Sequence, residues 1–139
     1  MNLRRKIAVT VSAVAMTVGG GILTAPPAAA DEPCASNKLC LYRSTLYRTM
    51  EFSTGSVSDC WWLDAYNLGG PPWSGIKSYR NNLPVKSTLW YYYGSAGWSS
   101  APVATIGVGG ASSNTTGGHV AFADSETVCT GDAKPWDHL

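Results

Sequence analysis

Charge is scarce in this chain. Asp, Glu, Lys and Arg make up 14% of its 139 residues, and the formal net charge is +1. A nucleic-acid binder working through a basic patch needs a larger excess of Lys and Arg, so that class is excluded. Disorder is excluded too, because it requires low hydrophobicity with high net charge, whereas 45% of these residues are hydrophobic and 11% aromatic. Helical periodicity is also missing. No stretch sustains an apolar repeat of three to four residues, so no substantial helix is expected. Histidine is limited to two positions, His119 and His138. The motifs G-x-S-x-G and H-E-x-x-H and any phosphate-cradling glycine loop are absent. The carboxylates are scattered and leave no footprint of a paired-carboxylate glycosidase. With no nucleophile, base and orienting group set to converge, the chain is not expected to be an enzyme. Its length suits about one domain.

What is present starts with an export signal. Arg4, Arg5 and Lys6 precede an apolar run, Ile7 to Val18, and Ala28-Ala29-Ala30 precede Asp31. A basic head, a short apolar stretch and an A-x-A end are the parts of a secretory signal peptide. The run of 12 residues from 7 to 18 is short of the roughly 20 that span a bilayer. Residues 1–30 are therefore expected to be removed, leaving a secreted chain with no membrane attachment. The remaining 109 residues, 31–139, carry seven basic and nine acidic residues, a formal charge of −2. They retain all six Trp and all four Cys.

In an oxidising compartment, Cys34, Cys40, Cys60 and Cys129 are expected to form two disulfides. Three connectivities are open. A local Cys34–Cys40 clip would close easily around Ser36-Asn37, leaving Cys60 to Cys129 as a long tie. In the loop-entropy picture such a tie contributes about 4–5 kcal/mol against about 2–3 for the clip. Zinc is not expected, since there is no C-x-x-C and neither His lies at ligand spacing from a Cys.

Short runs rich in Val, Ile, Thr, Tyr and Trp alternate with turn clusters, predicting strands at Leu39–Arg43, Thr49–Phe52, Cys60–Leu63, Ile76–Arg80, Ser87–Tyr93, Val103–Val108, Val120–Ala123 and Thr127–Thr130. The last two would form a closing hairpin, Gly109–Gly118 a loose loop, and 133–139 a patternless tail after a domain at 31–132. Spacing near ten residues suggests an all-β sandwich. A repeat runs through it. Tyr42-x4-Tyr47-Arg48-Thr49 and Tyr93-x4-Trp98-Ser99-Ser100 each place two aromatics five apart, able to stack across a hairpin, with a small residue two further on.

That corner resembles the Greek-key motif of βγ-crystallins. More narrowly, the order Cys34-Ala-Ser-Asn-Lys-Leu-Cys40-Leu41-Tyr42, Cys60-Trp61-Trp62-Leu63, Ile76-Lys77-Ser78-Tyr79-Arg80-Asn81-Asn82 and Leu89-Trp90-Tyr91-Tyr92-Tyr93-Gly94 is similar to the secreted actinobacterial peptidase inhibitors of family I36. The resemblance covers about Cys34 to Ser100. It implies a βγ-crystallin-like sandwich of two Greek keys, and, from its characterised members, inhibition of extracellular thermolysin-type metalloproteinases. Two departures stand out. Thr49 and Ser100 replace the usual corner Gly, and non-glycine residues resist positive φ, so more open corners are expected. At the position where related proteins bind calcium, Ser74-Gly75-Ile76-Lys77-Ser78-Tyr79 lacks carboxylates or amides in its first two places. No calcium, and no cofactor of any kind, is therefore expected. Asp124-Ser125-Glu126 reads as a solvated turn.

Two binding modes are open to such a body. A loop held extended can enter a protease cleft as a substrate strand with little ordering entropy to lose. The positional counterpart of the family's reactive loop is Trp98-Ser99-Ser100-Ala101-Pro102-Val103, and Gly69-Gly70-Pro71-Pro72-Trp73 is a rival. The partner would be an extracellular protease and the inhibitor a monomer. Alternatively, strand alternation places Trp90 and Tyr92 on one face, where exposed rings would stack on sugars of a cell wall, as in a carbohydrate-binding or toxin-like module.

Overall fold

The computed structural model describes residues 31–118 and 120–139; the expected signal peptide and His119 lie outside them. The alternation of Leu39-Cys40-Leu41-Tyr42 shows how the first sheet is built. Leu39 and Leu41 face inward while Cys40 and Tyr42 face outward, yet all four are buried, because something covers the outer face too. These residues open β1 (Leu39–Ser44), which pairs with β2 (Arg48–Thr54) and β4 (Ser78–Asn81). The remaining strands are β3 (Cys60–Trp62), β5 (Ser87–Trp90), β6 (Ala104–Ile106), β7 (Ala111–Ser112) and β8 (Thr127–Thr130). Short helices α1 (Ala121–Asp124) and α2 (Pro135–His138) follow β7 and β8.

Among the described residues, the strands make two four-stranded antiparallel sheets, ordered β2-β1-β4-β7 and β3-β8-β5-β6. Shifting each strand by four around the cycle of eight converts one order into the other. Each half of the chain thus lends its third strand to the other half's sheet, which locks the halves together. Leu39, Leu41, Phe52, Leu63, Leu68, Ile76, Leu83, Leu89, Ile106 and Val128 fill the space between the sheets. Asn81 is also fully buried there. Its amide donates to the carbonyls of Val85 (2.9 Å) and Gly107 (3.0 Å) and accepts the Leu83 N–H (3.1 Å), so a polar group in the core costs nothing unsatisfied and fixes the crossing between halves.

The disulfides are Cys34–Cys40 and Cys60–Cys129, and no cysteine is free. Each outer face is covered by a segment flanking the strands, Glu32 on one sheet and α2 on the other. On the first sheet, Glu32 donates its N–H to the Tyr47 carbonyl and accepts the Tyr42 hydroxyl on its own carbonyl. Its carboxylate accepts the N–H groups of Thr49 (3.1 Å) and Met50 (2.8 Å). Thr49 sits at φ +57° and Tyr47 at +54°, a region that disfavours side chains with a Cβ. The corner expected to open for lack of glycine is therefore closed on a threonine. Glu32 holds the Thr49 N–H, and the Ser44 hydroxyl contacts Thr49 Oγ1 at 3.1 Å. Replacing Glu32 with Ala should lower stability by about 1–2 kcal/mol, the worth of charge-assisted hydrogen bonds; denaturant titration of the variant measures it, and an unchanged midpoint would show that the corner holds itself.

Tyr42 and Tyr47 meet edge to face at 5.8 Å, as the repeat predicts, and Arg80 lies over the Tyr47 ring. The second corner departs from the prediction. The ring in Tyr42's position is Trp90, since Tyr42 pairs with Ser78, the first residue of β4, and Trp90 with Thr127, the first residue of β8. Trp98 packs on the cluster around Trp90, not on Tyr93. The strand expected through Tyr93 ends at Trp90, and Tyr92 keeps a single bridge to Trp98.

Two further expectations are corrected. Val120–Ala123 is not a strand; Ala121–Asp124 winds into α1, burying Ala121 and turning the Phe122 carbonyl to accept the Ile76 N–H at 2.7 Å. Gly75 makes that approach possible: at φ +72°, a Cβ would lie 2.3 Å from the Phe122 oxygen. Nor is the segment after 132 a loose tail. Ala133 and Pro135 are buried, and Trp136 meets Trp90 edge to face at 5.5 Å. Within the loop expected at Gly109–Gly118, Ala111–Ser112 supply β7.

Candidate functional site

The loop after the second corner is anchored at both ends. β5 pairs with β6 through Leu89↔Ala104, and beyond it Tyr92 bridges Trp98. The two positions are three apart in number on the β5 side and six apart on the other, so 100–102 are pushed out of register as a bulge. The Ser99 N–H donates to the Tyr91 carbonyl (2.9 Å), and Ser99 Oγ accepts the Tyr91 N–H (3.4 Å). On the far side the Val103 N–H donates to the Leu89 carbonyl (2.8 Å). Ser99 is buried, Ser100 and Ala101 are exposed, and Pro102 and Val103 are half-buried. The six residues named from sequence thus divide into anchors (Trp98, Ser99, Val103) and a projecting tip (Ser100, Ala101, Pro102).

Trp98 is held by rings. Its centroid lies 4.9 Å from Trp62, tilted 35°, and 4.9 Å from Tyr92. Tyr92 meets Trp62 edge to face at 5.5 Å. Glu126 fixes this group from below: its N–H donates to the Trp90 carbonyl, its carbonyl accepts the Leu63 N–H, and its carboxylate accepts the Tyr92 N–H at 2.7 Å. The turn expected to be merely solvated therefore ties the ends of β3 and β5. Beside it, burial first and the Asp124 carboxylate second raise the Tyr91 pKa above its ordinary value, keeping that phenol neutral.

The aromatic face named from sequence is corrected at one of its two members. Tyr92 is exposed, but Trp90 is 1% exposed, packed on Cys60, Cys129 and Ala133 with its indole N–H donating to Thr88 Oγ1 at 2.9 Å. It faces the outside of its sheet, as alternation requires, but α2 lies over that side. The adjacent Trp61-Trp62 pair must point to opposite faces, and Trp62 is the member turned outward. Sequence reasoning missed Glu126 and Trp136.

At the position weighed for calcium, Ser74, Ile76, Lys77, Thr115 and Val120 line a cavity of about 140 Å³. It presents a lysine instead of carboxylates. Among the described residues, no three His, Cys, Asp or Glu side chains group to hold a metal, and no helix is long and apolar enough to cross a membrane.

The fold and site define a two-sheet, disulfide-stapled β-domain with one bulged loop beside an aromatic cluster. Comparison with protein-family models, with curated proteins and with solved structures returns no match.

Proposed function

We propose that the exported chain is a non-enzymatic, monomeric inhibitor of an extracellular peptidase of the thermolysin type, presenting Ser100-Ala101-Pro102 to the protease cleft. The observation that carries this reading is the bracket of backbone hydrogen bonds at Ser99 and Val103 around an exposed tip. Such a tip can add to a protease as a substrate-like strand, and because its anchors are set before binding, little ordering entropy is lost. The Trp62–Trp98–Tyr92 packing and the Ser99–Tyr91 bonds anchor this loop, which carries no cysteine. The exchange of third strands between the two halves supports the two-Greek-key, βγ-crystallin-like reading. The paired cysteines and the signal-like residues 1–30 support secretion.

The test is titration of a thermolysin-type metalloproteinase, with serine and cysteine proteases in parallel. Inhibition at stoichiometric amounts is expected for the metalloproteinase. Ala101→Glu should weaken it about 100-fold, comparable to truncating a strong interface anchor, with an unchanged melting temperature. Absence of inhibition in all three classes refutes the reading.

A further inference from the structure

The outer face of the β3-β8-β5-β6 sheet carries a strip of rings, three of which, Trp62, Trp98 and Tyr92, also brace the proposed inhibitory loop. Cross-strand pairing puts Trp62, Thr127 and Trp90 side by side on this face, and Cys60, Cys129 and Thr88 in the next row. Trp98 leans on Trp62 and on the Trp90 cluster, and Trp136 on Trp90. Four of the six tryptophans therefore gather on one side of one sheet. Trp90 is buried and supports the others. Trp62 stays 37% exposed, Tyr92 40% and Trp136 52%. The large exposed aliphatic side chains lie elsewhere in the chain: Leu46 in the β1–β2 turn, Val57 before β3, Val108 after β6, Val120 before α1, and Leu139 at the end.

Charges of both signs surround the strip. Glu126 lies at the Tyr92 end and Lys134 stands over Trp90, 5.1 Å from its ring centre. His138 lies 3.3 Å from Asp59 and Lys86 3.0 Å from Asp132, and Asp137 follows Trp136 on α2. A neutral polyhydroxylated ligand fits: its apolar C–H faces match flat rings, and Glu126 Oε1, left over when Oε2 takes the Tyr92 N–H, can accept a hydroxyl.

We propose that the Trp62–Trp98–Tyr92 platform is a second binding site, for a neutral polymer of β-1,4-linked glucose-type pyranoses. That class is singled out because its all-equatorial substituents leave both ring faces as flat C–H surfaces. Binding there would hold the exported protein on an insoluble wall or biomass, independently of any protease.

The experiment mixes the oxidised protein, residues 31–139, with crystalline cellulose, amorphous cellulose and chitin. The bound fraction is measured, then challenged with cellohexaose or the hexamer of N-acetylglucosamine while tryptophan fluorescence is followed. Retention on at least one polymer and release by its soluble hexasaccharide are expected. Trp62→Ala and Tyr92→Ala should each weaken binding about tenfold or more, equivalent to about 1.4 kcal/mol. Trp62→Phe, which keeps a ring, should stay within about threefold, less than 0.7 kcal/mol on the same scale. Melting curves establish that each variant is folded. Ala101→Glu should leave retention unchanged, so failure of the inhibitor reading and failure of this one are separable. No retention on any of the three materials overturns the proposal. So does retention that salt, and not the hexasaccharide, reverses, or undiminished binding by folded Trp62→Ala. Loss of protease binding by Trp62→Ala without any glycan binding would assign the platform to a protein partner instead, and also overturns it.

Discussion

Replacing Cys60 and Cys129 together by serine is expected to lower the unfolding free energy by about 4 kcal/mol, against about 2 kcal/mol for Cys34 and Cys40. The difference is one of loop length. The first bridge joins residues 69 apart in sequence and the second residues 6 apart, so it removes far more freedom from the unfolded chain. Placement adds to it. β3 is a three-residue strand from the first half, paired only with β8 at the edge of the second half's sheet. The bridge joins Cys60 to its direct cross-strand partner, so the exchanged strand is tethered where its pairing is shortest. Guanidinium titration of the two double variants measures both losses. Equal losses would mean that strand exchange, not the covalent tie, holds the halves together.

Trp90→Ala should be nearly as damaging, at about 3–5 kcal/mol, the usual range for emptying a buried aromatic site. Trp90 is a main contact between the terminal segment and the sheet: Trp136 packs on its edge, Ala133 shares its cluster, and Lys134 stands over its ring. Removing it leaves a cavity against the Cys60–Cys129 bridge and strips Thr88 Oγ1 of its donor. Trp90→Phe should recover part of the loss, keeping a ring but not the indole N–H, and remain destabilised by about 1–2 kcal/mol. Denaturant titration and near-ultraviolet circular dichroism check both. If Trp90→Ala leaves stability unchanged, its side chain is not the support for the terminal segment.

These two effects divide differently between sequence and structure. A local Cys34–Cys40 clip was easy to close, but sequence left all three connectivities open; the structure pairs Cys34 with Cys40 and Cys60 with Cys129. The strand at Thr127–Thr130 matches its prediction end to end, because β-branched residues there are bounded by turn residues on both sides. Ala111–Ser112 carries no such signal; it becomes a strand only because the first half's sheet has an open edge beside Arg80. Val120–Ala123 looked like a strand by composition but had to turn inward to meet Ile76, which no local preference announces. Thr49 reads as a poor corner residue, and only the arrival of Glu32 from the chain's start explains how it is held.

The candidate site shows the same division. Residues 98–103 were named only by position, as the counterpart of a reactive loop in the resembling inhibitors, and the segment's shape as a three-residue bulge between two anchors depends on pairing with β5. Tyr92 was legible as exposed. Trp90 was not legible as buried, because alternation assigns a side chain to a face of its strand without saying what covers that face.

Composition, cysteine count and turn spacing by themselves determined an all-β, disulfide-stapled chain. They act locally, through side-chain volume, backbone preference and the chemistry of single residues. Tertiary structure decided which aromatics became supports and which became surface. That choice hangs on the segments at Glu32 and at 133–139 folding back over the sheets, contacts made across long stretches of chain that no window of sequence contains.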